Sequence, residues 1–202
     1  MRNQVASYLL CAACAAAPAA AFAQAKAIEF AELVTVFLVP AAAASDQPSW
    51  SLGAHPAIRW KSTSPQPASA RLAKDGLPLS RTGTVTIIVG GRPTHEHDDN
   101  RPGQWGLTLA GTSDHPAELH IVMDKAAALG FEPADALRAR GFKVKALCKP
   151  GGISSGVGVY TIEAPGHKPV AMSHEWSGGS AGTWAQVKLA YAKSRAAKMQ
   201  CE

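Results

Sequence analysis

The chain has 202 residues, 47% of them apolar, and a formal net charge of +5 from 20 basic and 15 acidic side chains. That is enough for one domain with a real core. The positive excess is spread along the chain, with only Lys188, Lys193, Arg195 and Lys198 approaching a cluster, so nucleic acid is excluded as the expected partner.

Residues 1–23 read as an export signal. Arg2 is the only charge, an uncharged run from Tyr8 to Phe22 follows, Pro18 breaks its helix, and Ala21-Phe22-Ala23 offers a small-x-small cleavage pattern before Gln24. The apolar run is about 15 alanine-rich residues, short of the roughly 20 that a membrane anchor needs. Cys14 behind Ala12-Ala13 could mark a lipid-attachment box, but Cys11 stands where leucine is expected and cleavage there would strand residues 15–22 on the mature protein. The expectation is a periplasmic or secreted protein with no membrane span after cleavage. Removing Arg2 takes the basic side chains from 20 to 19 and the net charge from +5 to +4.

Two cysteines then remain, Cys148 and Cys201, in an oxidising compartment, and a single disulfide between them is expected. It would enclose 52 residues, worth ~4 kcal/mol on the chain-entropy estimate.

Residues 24–83 are expected to form an N-terminal strand and an irregular wrapping segment. The apolar stretch 28–39 is dense in β-branched and aromatic residues in its second half, which predicts a buried strand, although Glu29, Ala31 and Glu32 would suit a helical turn. Between Pro40 and Gly83, prolines at 40, 48, 56, 65, 67 and 78 interrupt every candidate element. Trp50, Leu52, Ile58 and Trp60 nevertheless predict short edge strands against the core, with 65–70 the most flexible piece.

Residues 84–202 are expected to be the antiparallel core of the same domain. Strand patterns run over 84–89, 104–110 and 118–123, joined by short connections that predict a meander. Residues 133–140 carry proline near the start and Gly141 at the end, the marks of a short helix. Alternation resumes over 142–147, 158–164 and 169–174, and from Trp184 a strand gives way to a helical tail. The expected class is α+β, mainly antiparallel sheet. A faint echo links Val85-Thr86-Ile87 through Pro93 to Trp105 with Tyr160-Thr161-Ile162 through Pro169 to Trp184, but the proline-to-tryptophan distances differ, 12 against 15.

Three constellations carry candidate chemistry. His95-Glu96-His97-Asp98-Asp99 places two imidazoles on one side of an extended chain, where with His115, His120, His167 or His174 they could hold zinc or copper; a polar turn explains the same residues. Gly178-Gly179-Ser180-Ala181-Gly182 fits a nucleophile-elbow pattern, but no histidine or aspartate follows Ser180, so a glycine-serine turn is the expectation and no catalytic residue is assigned. Glycines 151, 152, 156 and 158 open no phosphate-binding helix. The five tryptophans read as core or strand-pair residues, with Trp176 set among polar neighbours. The leading expectation is a non-catalytic binding or accessory protein acting on an envelope component or secreted enzyme. The alternative is an exported metal protein using His95 and His97, and a hydrolase comes third.

Overall fold

The structure is a computed structural model that describes residues 27–50, 55–94, 103–124, 132–148, 155–179 and 182–191. It opens with a three-residue strand, β1 (Ala27–Glu29), which runs straight into helix α1 (Phe30–Phe37). The strand expected over 28–39 is therefore corrected to a helix beyond Glu29. The buried side chains Phe30, Ala31, Leu33, Val34 and Phe37 recur at helical spacing, with Glu32 exposed, and Thr35 Oγ1 donates back to the Ala31 carbonyl at 2.8 Å. The β-branched run Val34-Thr35-Val36 lowers helix propensity by less than ~1 kcal/mol per residue. Burying each of the two phenylalanines and Leu33 is worth about 1.5–3 kcal/mol, so packing overrides local preference.

The wrapping segment is more ordered than its prolines suggest. It contains β2 (Arg59–Trp60), β3 (Gln66–Pro67) and α2 (Ala70–Lys74), and the piece expected to be flexible forms β3 and the N-cap of α2, where Ser69 Oγ accepts from Leu72 N. Strand β4 (Leu79–Val89) then begins five residues before the expected boundary at Thr84. Strands β5 (Arg92–Pro93), β6 (Gln104–Gly111) and β7 (Pro116–Asp124) follow, then α3 (Pro133–Arg138), β8 (Lys143–Cys148), β9 (Ser155–Glu163), β10 (Val170–Gly179) and β11 (Gly182–Ala190).

All described strands belong to one sheet in the order β1-β4-β6-β7-β11-β10-β9-β8, with β2, β3 and β5 also on β4. The β1–β4 pair is parallel and the others are antiparallel, so the protein is mainly a mixed sheet with few short helices. The expected meander is β4-β6-β7. After it the chain passes through α3 to the far edge, β8, and works back inward until β11 closes on β7, a pairing that alternation alone does not specify.

One face of this sheet holds α1. Leu107 pairs with Ile121, Ile121 with Val187 and Val187 with His174, while Leu109, Leu119, Leu189, Met172 and Tyr160 form the adjacent row. The same cluster includes Phe30, Leu33, Val34 and Phe37 from α1 and Leu137 from α3. Between the two halves, Trp105 is fully buried on the α1 face, whereas Trp184 occupies the opposite parity of β11 and is half-buried. A whole strand, β10, also lies between the Pro169 turn and Trp184, with no counterpart among the described residues between β5 and Trp105. The echo between the halves is one of turn chemistry.

Gly111 sits at a register shift in the β6–β7 pair, where an added Cβ would strike the His115 carbonyl oxygen and lie 2.5 Å from Pro116 Cα; at Gly106 the nearest atom is 3.6 Å away. Gly111→Ala is therefore expected to cost about 1–3 kcal/mol in urea unfolding, with Gly106→Ala close to neutral. Equal costs would contradict this register.

Candidate functional site

The two ends of the sheet differ. Register brings the ends of β4, β7, β8 and β10 and the starts of β6, β9 and β11 to one end. Connections 95–102, 149–154 and 180–181 begin and finish there, and 125–131 departs from it. At this end Gly103 N donates to Thr94 O at 2.6 Å and Trp105 Nε1 to Thr94 Oγ1 at 2.8 Å, which fixes the neck from which 95–102 leaves.

The opposite end has the turns 112–115 and 164–169, and residues 38–50 tie it shut. Pro40 bridges to His167, Val39 N donates to Tyr191 Oη at 2.6 Å, and Trp50 Nε1 donates to Thr112 O at 3.0 Å. Lys168 Nζ donates to Ala43 O, Ser45 O and Asp46 Oδ1, and that contact holds the Asp46 carboxyl below its ordinary range. Burial pushes the Tyr191 hydroxyl up to about 12, with the Val39 N–H acting in the other direction.

On the α1 face, near the loop-bearing end, stand Tyr160, His174 and Trp176. His174 is 2% exposed and its ring stacks on Trp176 with centroids 4.9 Å apart. Its partner across the β9–β10 ladder is Gly158, and the space a side chain would take there is filled by the Tyr160 phenol: a Cβ would lie 2.5 Å from Tyr160 Oη. Burial pushes the His174 imidazole down to about 4. Burial also raises Tyr160, with the Glu132 carboxylate adding to it. At neutral pH both groups are uncharged and enclosed, an arrangement suited to packing a rim; a general base would need a midpoint nearer the working pH.

The outer face carries a polar ladder. His120 on β7 and Gln186 on β11 are bonded through Nε2 and Oε1 at 2.6 Å, and Gln186 Nε2 donates to Glu175 on β10. Desolvation lowers the His120 midpoint, with Lys188 adding to it and Gln186, Glu118 and Glu175 opposing it. The sequence named His120 only as a possible third metal ligand and not its link to Gln186 and Glu175, because what joins them is strand pairing, β7 with β11 and β11 with β10, and not their spacing in the chain.

Of the sequence-predicted site residues, His95, His97 and Ser180 lie outside the described residues. Topology separates the proposed third ligands for a metal: His115 and His167 belong to turns at the opposite end, roughly 25 Å away over eight residues of strand, His120 is on the outer face, and His174 is enclosed on the α1 face. Among the described residues no group of three or more His, Cys, Asp or Glu could hold a metal ion. Gly179 pairs with Gly182 at the end of the β10–β11 ladder, and residues 180–181 between them lie outside the described residues. Cys148 is disulfide-bonded, and Cys201 lies outside the described residues.

Between α1 and the sheet a cleft lined by Leu33, Phe37, Ile58, Trp60, Leu107 and Leu119 encloses about 220 Å³ of space including its mouth. Its walls are apolar and the free room within it is about that of one water, too little for an organic ligand. Among the described residues no helix is long and apolar enough to cross a membrane. No protein-family model matches the chain, and no curated protein or solved structure matches it.

The buried imidazole predicts an acid-sensitive fold. His174 titrates near 4 when folded and near 6.5 when unfolded, so between these values the unfolded chain binds more protons and stability falls as pH drops. The loss from this side chain should reach about 3 kcal/mol by pH 4 and vanish above about pH 6.5. His120, also lowered, acts in the same direction. Urea unfolding across pH 4–7.5 should show a shallower slope for His174→Leu than for the native protein; identical slopes would place the titrating group elsewhere.

Proposed function

We propose that the protein is an exported, non-catalytic binding or accessory protein, an α+β domain that recognises a protein or envelope component through the loop-bearing end of its sheet. The observation that carries this reading is the asymmetry of the two ends. One is tied shut by residues 38–50, while three connections gather at the other and a fourth leaves it. Loops borne by a rigid sheet vary without disturbing the core, which is why recognition residues concentrate on them. Two half-buried tryptophans support the same end as a contact surface: Trp176 on the α1 face and Trp184 on the outer face, on adjacent strands. Tryptophan is the side chain most enriched among residues that dominate binding energy. The cleft between α1 and the sheet has too little free room for an organic ligand, which favours surface recognition over enclosure of a small ligand there. The sequence supports export through residues 1–23.

The test is affinity capture from envelope extract with folded protein, comparing three variants. Trp176→Ala and a His95→Ala/His97→Ala pair alter the loop-bearing end, and Asp114→Ala alters the closed end. The reading predicts one reproducible partner whose recovery drops about tenfold or more with either loop-end variant, as for loss of a dominant contact, and is unchanged by Asp114→Ala. Recovery of no partner, or loss only with Asp114→Ala, would overturn it. Metal content of the His95→Ala/His97→Ala protein, measured alongside, decides the alternative: equal zinc or copper uptake by native and variant protein removes that site.

A further inference from the structure

Independently of the binding reading, the β4 edge of the sheet carries a charged feature. β2 pairs with β4 through Trp60 and Gly83, and β3 pairs with it through Gln66 and Ser80. Five residues, 61–65, therefore stand against two, Arg81 and Thr82. Lys61 N still donates to Thr82 O, and 62–65 leave the ladder as a bulge. The bulge is internally bonded: Ser62 Oγ donates to Ser64 O at 2.7 Å, and Gln66 Nε2 donates to Ser64 O and Oγ at 3.3 and 3.2 Å. Arg81 reaches it from β4. Its Nε donates to Ser62 O at 2.8 Å, and its guanidinium carbon lies 4.6 Å from the centroid of the Trp60 ring. Trp60 is itself packed against the core as a wall of the cleft beside α1. A guanidinium held by a ring face and by Nε has its orientation fixed, while its terminal nitrogens keep their N–H donors. Among the described residues no carboxylate pairs with them.

We propose that Arg81 anchors an oxyanion site on the β4 edge that takes a phosphate group. Arginine presents paired N–H donors in one plane, a geometry that meets two phosphate oxygens at once. Ser64 Oγ accepts from Gln66, so its O–H remains a donor, and the neighbouring Thr63 is exposed. A fork with hydroxyl donors beside it suits a tetrahedral anion, whose oxygens point several ways, better than a flat carboxylate. The surroundings have the right sign. Residues 59–81 hold Arg59, Lys61, Arg71, Lys74 and Arg81 against the single carboxylate of Asp75, and the first four are exposed. These cations are too widely spaced in the chain to read as a cluster, but pairing of β2 and β3 with β4 brings their segment to one edge. Because the guanidinium is already oriented, little of its freedom is lost when the anion arrives. Arg81 lies eight residues along β4 from Val89, ~26 Å from the loop-bearing end, so this is a second contact point and not part of the first.

The test is a titration of the isotope-labelled full chain with inorganic phosphate at constant ionic strength, read by NMR at the Arg81 Nε–H and the amides of the bulge. Phosphate should shift these signals saturably, and chloride should not. Arg81→Gln should weaken binding about tenfold or more, and Arg81→Lys several-fold, because a point charge replaces the fork. Lys61→Gln, which removes no side-chain bond of the bulge, should weaken it about twofold through charge alone. Lys143→Gln, the same loss of charge on exposed β8, should leave it unchanged. Native amide signals from β7 and β11 show that each variant is folded. Vesicles then identify the source of the phosphate. Arg81-dependent binding to phosphatidylglycerol vesicles over phosphatidylcholine vesicles assigns a lipid headgroup, whereas phosphate binding without it assigns a soluble phosphate. Unsaturable shifts, equal shifts in Arg81→Gln, or equal weakening by Lys61→Gln and Lys143→Gln would overturn the site.

Discussion

The structure depends on the burial of one short helix. Phe30, Leu33, Val34 and Phe37 are each at most 1% exposed, and they meet Leu107, Leu109, Leu119 and Ile121 from the middle of the sheet. A sheet with one apolar face must cover it. Here α1 and α3, with Ile58 and Trp60, supply the cover, and the position of α1 directly after β1 determines the rest. The parallel pair Ile28–Ile87 places the start of α1 beside the end of β4. The Glu29 carboxylate, accepting from Gly91 N at 3.1 Å and pairing with Arg140 at 3.3 Å, ties that start to both the β4–β5 turn and the residues after α3. The chain leaving α1 runs across the other end of the sheet, where Pro40 bridges to His167 and Trp50 reaches Thr112.

That route makes the two ends different. Residues 38–50 satisfy backbone groups at the turn end and use Lys168 as a three-way clamp, so that end has backbone and side chains committed to closure. The loop-bearing end is anchored by a different device, the Thr94 neck with the Trp105 indole held against it. A frame with a neck at one end and a seal at the other is what the proposed recognition role rests on. The buried His174 and the half-buried His120 also read differently. His174 is enclosed beside Trp176, whereas His120 keeps a hydrogen-bonded path through Gln186 to Glu175 on the face away from α1.

Much of the strand content was legible because alternation is a local property. Residues 104–110 and 118–123 show it plainly, and the strands found there extend those spans by one to three residues. The helix over 30–37 was not legible, because its β-branched residues argue for a strand until the face it buries is known. Nor was the β7–β11 pairing, which joins residues about 66 apart and rests on how two meanders meet. The outer-face ladder depends on that pairing and was hidden with it. His95 and His97 drew attention by proximity in sequence, yet topology puts His115 and His167, two of their suggested partners, at the far end of the strands.

The measurement that bears most directly on this account is native-state amide hydrogen exchange along α1. A helix of eight residues has little stability alone, so its protection must come from the sheet it packs on. If α1 organises the core, the amides of Val34 and Phe37 exchange only through global unfolding, with the same free energy as the central strands β7 and β11. Exchange of α1 through a separate low-energy opening, while β7 and β11 stay protected, would contradict the central claim.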